Sequence, residues 1–305
     1  MAGGWKSSLA SILKESNGVK EGGSVASFAT QDKRSDILFA GFTELRELGY
    51  KLDSVEQFKE RHMSALGAAW EKRELAPSTI QDRISTFRTF SEWIGKEGMI
   101  RAADNYVSGE GAASRTSINT QDKSWGAKDL DVVQKIAEVK AIDERVALQL
   151  ELQQVFGLRV REALELRPAL SDKGTYLAVN VGTKGGRDRT VPINTPEKRE
   201  LLDRAKTFAS NISSTSDQKK SLAQVKNNYY AVMRQAGITK ADAGISSHGL
   251  RHAYANDRYK EITGVASPVR GGGFVEKSLD NQARLIISEE LGHSRENVTT
   301  HYLGR

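Results

Sequence analysis

The residues able to do chemistry in this sequence are cationic, imidazole and phenolic, and they fall in four clusters. GLRVREALEL opens an apolar helix with Arg159 and Glu162 three residues apart, hence on one face. Alone, that pattern describes an ordinary surface ion pair. VGTKGGRDRTVPI carries Lys184 near the tip of a hairpin, where a lysine is usually just solvated. It is not a P-loop, which needs its Gly-Lys between a strand and a helix; here Gly185 and Gly186 follow the lysine and a strand follows them. In SSHGLRHAYA, His248 and Arg251 sit three apart at a helix start, so both reach one ligand, and a helix N-terminus favours an anion. Ser246 or Ser247 is the expected cap, and His252 is expected to point elsewhere. ELGHSRENVTTHYLGR places His293 nine residues before Tyr302. A lone tyrosine there would be a packing residue. Together the six offer guanidinium forks for an oxyanion, imidazoles for proton transfer and a phenol as nucleophile.

The elements that must position these residues are mostly helical. After a Gly- and Ser-rich arm (1–28), in which Trp5, Leu9, Ile12 and Leu13 can line a short amphipathic helix, helical spacing marks Ile37 to Leu48. A second helix is expected over about 55–73. A third follows Pro77, with Ser78 as its N-cap. This all-α block ends near residue 104. NYVSGEGAASRTSINTQDKSW (105–125) reads as a linker, taken to residue 126. Helical pattern resumes over 127–166. TYLAVNV and RDRTVPI around Gly185-Gly186 then read as a β-hairpin. Thr195-Pro196 starts another helix, and further helices fit 220–236, 248–263 and 279–291. The Gly-rich interval 264–278 reads as a mobile loop. The expected domains are therefore a helical block over 29–104 and a mostly helical unit with one small antiparallel sheet over 127–305.

Composition narrows the classes. The chain has 305 residues, no cysteine and five histidines, so disulfides, thiolate metal sites and cysteine nucleophiles are excluded. No apolar run approaches the ~18 residues of a membrane helix, and the N-terminus makes a poor signal peptide. The net charge is +6. Residues 1–104 are balanced, with 15 basic and 15 acidic side chains, so the excess lies in 105–305, with 30 against 24. If the partner is a polyanion, the second part holds it harder.

The order Arg159, Lys184, His248-x-x-Arg251, His293, Tyr302 resembles the active-site signature of the tyrosine recombinases, the phage-type integrases and their relatives. GLRVRE is similar to the family's arginine box, HGLRHAYA to its His-x-x-Arg box and LGHSRENVTTHY to its closing box. PSTIQDRISTFRTFSEWI resembles part of the helical, SAM-like core-binding domain found before such catalytic domains. The resemblance spans roughly residues 30–305 and is most specific in the C-terminal constellation. It implies an α+β catalytic domain, a DNA strand transferase needing no cofactor or metal, and double-stranded attachment sites as partners. It also implies a tetramer on paired sites, accessory DNA-bending or directionality proteins, and a cytoplasmic, nucleoid-associated setting without membrane contact.

By that resemblance Tyr302 attacks phosphorus to give a 3′-phosphotyrosine, Arg159 and Arg251 clamp the phosphate, and Lys184 is the general acid. His248 takes the phenolic proton or donates to phosphate, His293 donates to phosphate, and Glu162 supports an arginine or histidine from behind. Gln81, Arg83 and Arg88 on the third helix, and Arg187 and Arg189 on the hairpin, are the expected DNA contacts. Two departures stand out: few residues follow Tyr302, where many relatives carry a docking helix, and the 264–278 loop is long. With Tyr302 almost at the end of the sequence, its segment is expected to be mobile without DNA and delivered in cis. Two rivals are a type IB topoisomerase-like nicking–closing enzyme and a DNA-binding protein that merely keeps the fold.

Overall fold

The computed structural model describes residues 4–19, 25–109, 111, 114, 116, 118–210, 212–293 and 295–305. The chain forms two compact units, Met1–Thr116 and Ser117–Arg305.

Among its described residues the first unit has four α-helices around an aromatic core. Helix α1 (Trp5–Ser16) buries Trp5 and Leu9 against Phe39 and Phe42. The α1 segment of the stretch expected as a loose arm is thus packed into the domain, because burying an indole and a leucine outweighs the entropy of ordering it. Helix α2 (Phe28–Glu47) starts well before the apolar pattern does, at Ser27, whose hydroxyl accepts from Thr30 N. The expected 55–73 helix is a short turn, Val55–Gln57, and then α3 (Glu60–Lys72). Helix α4 (Pro77–Trp93) begins at the proline itself, whose fixed φ and missing N–H suit the first helical position; Ser78 lies inside the helix and is not its cap. Phe42, Phe58, Phe87 and Phe90 pack mutually at ring-centroid distances of 5.1–6.3 Å.

The span read as a linker is partly structured at both ends. Tyr106 is buried in the first core, and Ser108 and Gly109 donate to Glu71. Asn119, Ser124 and Trp125 are buried in the second unit.

In that unit the 127–166 pattern resolves into three helices. Asp143 caps α6 (Glu144–Phe156) and so ends α5 (Val132–Ile142), and Gly157, at φ +59, ends α6 before α7 (Val160–Glu165). After α8 (Pro168–Ser171), strands β1 (Tyr176–Val179) and β2 (Arg189–Pro192) pair antiparallel, with Val179 opposite Arg189. Helices α9 (Pro196–Ala209), α10 (Leu222–Gln235), α11 (His248–Thr263), α12 (Lys277–Glu290) and α13 (Thr300–Leu303) follow. Ser247 precedes α11, but its hydroxyl makes no cap bond to it. The main core gathers α6, the hairpin, α9, α11, α12 and α13, and contains Tyr302 and Leu303. A second core forms between α5, α10 and Trp125. No described helix is long and apolar enough to cross a membrane.

Candidate active site

The site is built where α7, α11, the α12 C-terminus and α13 converge. Arg159 caps α7, and its backbone N–H donates to Glu162 Oε2 at 2.7 Å while its guanidinium donates to Oε1 at 2.7 Å. Glu162 is fully buried and faces two more guanidiniums, Arg189 at 2.7 Å and Arg251 at 3.8 Å. Burial pushes the Glu162 carboxyl up, but the Arg189 charge and its neighbours overcome that and hold it at about 2. One carboxylate against three guanidiniums leaves the cluster positive by two charges at neutral pH. An unbalanced buried positive charge is what an incoming phosphate would neutralise.

Backbone carbonyls orient the arginines. Leu291 O accepts from Arg159 Nη2 at 3.1 Å and also from Arg251 Nη2, and Gly157 O accepts from Arg251 Nη1. Arg251 Nε donates to the Tyr302 hydroxyl at 3.2 Å. That hydroxyl also lies 3.5 Å from His293 Nε2. His248 and His252 close the rest of the ring's surroundings, with centroids 5.9 and 4.8 Å from that of Tyr302. His252 therefore does not point elsewhere: it is four residues from His248 on one helix face, and both rings meet the tyrosine. Burial, then the nearby cations, depress His248 to about 4 and His293 to about 3. For His252, held at about 3, burial and then His248 are the main causes. All three are neutral at pH 7. The His252 Nδ1 is buried without a hydrogen-bond partner among the described residues.

Two glycines let the segments come this close. Gly182 has φ +73, and a Cβ there would lie 2.7 Å from the Arg161 carbonyl oxygen, so the hairpin rests on the start of α7. Gly292 has φ +67, and a Cβ would lie 2.7 Å from Arg189 Cδ.

Five of the six expected residues thus share one cluster. Lys184 stands on the exposed hairpin turn and adds to the positive field at His293; among the described residues no hydrogen bond or ion pair joins it to the other five. Tyr302 is 5% exposed and seated in its own chain's site, hydrogen-bonded rather than loose. Arg187 is exposed beside a cavity of about 600 Å³ lined also by Tyr176, Leu285 and His293.

Arg189 corrects an expectation. Instead of facing DNA, its side chain is 1% exposed and bound to Glu162 and the Glu290 carbonyl. Strand alternation explains this: Arg189 and Val191 share the inner face of β2. Arg83 and Arg88, expected on the DNA side, also serve their own fold. Arg83 pairs with Glu44 at 3.2 Å and lies over the Trp70 ring, and Arg88 donates to the carbonyls of Ile100 and Arg101. Gln81 is half-buried and engaged within the protein. Among the described residues no group of three or more His, Asp or Glu side chains is placed to hold a metal ion.

The chain is similar to known proteins in sequence profile and in fold. The profile of the family described as "Integrase" matches residues 112–257, and that of "Phage integrase, N-terminal" matches residues 9–100. No curated protein matches the sequence. Among solved structures, a lambda integrase dimer bound to a COC′ core site is 16% identical, with 98% of this chain and 77% of that one covered and a TM-score of 0.61. The Tn1549 transposon integrase in complex with transposon right-end DNA is 10% identical, with 99% and 95% covered and a TM-score of 0.62. A lambda integrase tetramer bound to a Holliday junction is 18% identical, with 95% and 77% covered and a TM-score of 0.58. At these identities the likeness is one of fold.

Proposed function

This chain belongs to the tyrosine recombinase family of phage-type integrases, and we propose that it is a site-specific DNA recombinase that cleaves and rejoins strands through Tyr302. The observation that carries the reading is a phenol hydroxyl 3.2 Å from one buried guanidinium and 3.5 Å from an imidazole, inside a cluster with two uncompensated positive charges.

In the proposed step the Tyr302 oxygen attacks a backbone phosphorus. The new P–O bond forms as the bond to the 5′-oxygen breaks, giving a 3′-phosphotyrosine and a free 5′-hydroxyl. A second strand's 5′-hydroxyl reverses the step, and the phosphodiester bond energy is conserved in the intermediate. A phenol, with a pKa of ~10, both attacks and leaves tolerably. Negative charge builds on the non-bridging oxygens, and Arg159 and Arg251, already oriented by the Leu291 and Gly157 carbonyls, are placed to meet it. Arg251 Nε exchanges its bond to Tyr302 for a phosphate oxygen.

His293 and His248 are neutral before DNA arrives. The phosphate's charge raises their affinity for a proton, so one of them takes the phenolic proton and the other donates to phosphate. Lys184, on its exposed turn, swings in to protonate the departing 5′-oxygen. Glu162 holds the arginines from behind. Arg187 on the hairpin remains the proposed backbone contact, and Gln81 contributes to the DNA side of the first unit.

We assign the partner as double-stranded attachment-site DNA, bound by four protomers on paired sites. Accessory DNA-bending or directionality proteins would act with them. The work would be integration or excision of a mobile element in the cytoplasm, at the nucleoid. The test incubates the full chain with a pool of nicked suicide duplexes of randomised core sequence. Wild type forms a covalent adduct. Tyr302→Phe forms none while retaining binding, and Arg159→Lys and Arg251→Lys lose at least about a hundredfold in cleavage, because a point charge does not replace a bidentate fork. A full adduct in Tyr302→Phe would overturn the reading.

A further inference from the structure

Helix α13 is only four residues long and carries the nucleophile, so something outside it must hold it still. Two segments do so. On one side runs the strap 118–125, by which the chain enters the second unit. Asn119 N donates to Thr300 O at 2.9 Å, and Asn119 Nδ2 approaches Tyr302 O at 3.5 Å. The strap is anchored further on, where Trp125 Nε1 donates to Ser246 O at 2.7 Å.

On the other side is the loop 264–276, the observed part of the Gly-rich interval 264–278 expected to be mobile. Its Ser267 hydroxyl donates to Asn256 Oδ1, and Asn256 Nδ2 approaches Tyr302 O from α11 at 3.5 Å. The loop's Pro268–Arg270 turn packs on the end of α13. A Cβ on Gly304 would lie 2.7 Å from Val269 Cγ1 and 2.9 Å from Asn119 O, so loop, strap and nucleophile helix meet at that glycine.

Strap and loop are joined to each other at Arg270. Its Nε donates to Asp122 Oδ2 in the strap at 2.8 Å, and its Nη1 pairs with Asp257 on α11. Arg270 and Asp122 are 25% and 14% exposed, so the pair is shielded enough to matter, and the other Asp122 oxygen accepts from Ser124 N at 2.9 Å. Among the described residues, neither side chain bonds to Tyr302 or to the arginine cluster.

We propose that Arg270 is a positioning residue for strand cleavage: its ion pair with Asp122 closes strap and loop around α13 and so holds the Tyr302 phenol at Arg251 and His293. The proposal rests on Tyr302 being the nucleophile. It explains why a long, Gly-rich loop is ordered here, and it gives the strap a role beyond connection. With the latch open, α13 keeps its own sequence but loses its fixed place, and misplacing a nucleophile by about 1 Å costs on the order of a hundredfold in rate.

The test uses the full chain and the best nicked duplex recovered from the randomised pool. Arg270→Ala is expected to form adduct at least about tenfold more slowly at saturating DNA, with the half-saturating DNA concentration unchanged within about twofold. Amide exchange over 300–304 should rise while that of α6 stays put. Arg270→Lys, which keeps one charged donor, should recover much of the rate, and Asp122→Asn, which keeps the Ser124 cap, should resemble Arg270→Ala. If Arg270→Ala does not fold, those two variants carry the test.

A wild-type rate at saturating DNA would overturn the latch. So would a defect confined to half-saturation, which would make Arg270 a DNA contact, or a rise in exchange spread equally over α6. Tyr302→Phe run alongside separates the two assignments: an adduct in that variant sinks the nucleophile itself, whereas a normal rate in Arg270→Ala sinks only the latch.

Discussion

Replacing Glu162 by glutamine tests the electrostatic reasoning most directly, because the substitution keeps the shape and removes one charge. The carboxyl is fully buried and sits at about 2 instead of its ordinary 4.5. Since one pKa unit is worth about 1.4 kcal/mol, the folded protein favours the charged form over the neutral form by about 3 kcal/mol more than the unfolded chain does. Glu162→Gln should therefore lose about 3 kcal/mol at neutral pH, which for a unit of this size lowers Tm by about 6–12 °C.

The sign of the pH dependence follows from the depressed pKa. The contribution is fully present above the unfolded value near 4.5 and is lost as pH falls through about 2. The gap between wild type and variant should be flat from about pH 5 to pH 8 and narrow only below about 4.5. Urea titrations at several pH values measure it. Cleavage should fall as well, by about tenfold or more, because Arg159, Arg189 and Arg251 lose the carboxylate charge and one of the two oxygens that aim them, an NH2 donor facing them instead. A variant within about 0.5 kcal/mol of wild type at pH 7 would refute the idea that this carboxylate organises the cluster.

Two further outcomes follow from the same geometry. His248, His252 and His293 are held neutral at about 4, 3 and 3, so the unfolded chain binds more protons below about 6.5, and stability should drop as pH falls from 7 toward 5; His252→Gln should flatten that slope in chemical denaturation, and an unchanged slope would contradict the burial of its ring. Gly182→Ala should cost about 1–3 kcal/mol, since it forces a positive φ on an L-residue and drives a methyl into the Arg161 carbonyl; the same melts would show it, and a neutral effect would mean the hairpin does not rest on α7.

Much of this protein was legible in its residues. Helical spacing located α11 to the residue, the Gly185-Gly186 turn located the hairpin, and the order of arginine, histidine and tyrosine boxes pointed to one site. These signals are local: periodicity, capping and turn chemistry act over a few neighbours. The signals for Arg189 and His252 are present too, but a charged or polar side chain is by default a surface one. Alternation with Val191 turns Arg189 inward, and four-residue spacing puts His252 beside His248.

What the sequence by itself determined is that Tyr302 has the company of a nucleophile: two arginines, two histidines and a lysine in a fixed order. Only the tertiary structure decided how that company is arranged. It joins Arg159, Arg189 and Arg251 around one buried carboxylate across separations of 3 to 89 residues, and it ties Tyr302 to Asn119 across 183 residues. It also joins a Gly-rich loop to the segment 118–125 through Arg270 and Asp122. Such pairings depend on which carbonyls and carboxylates happen to be buried within reach, and a one-dimensional pattern carries no record of that distance.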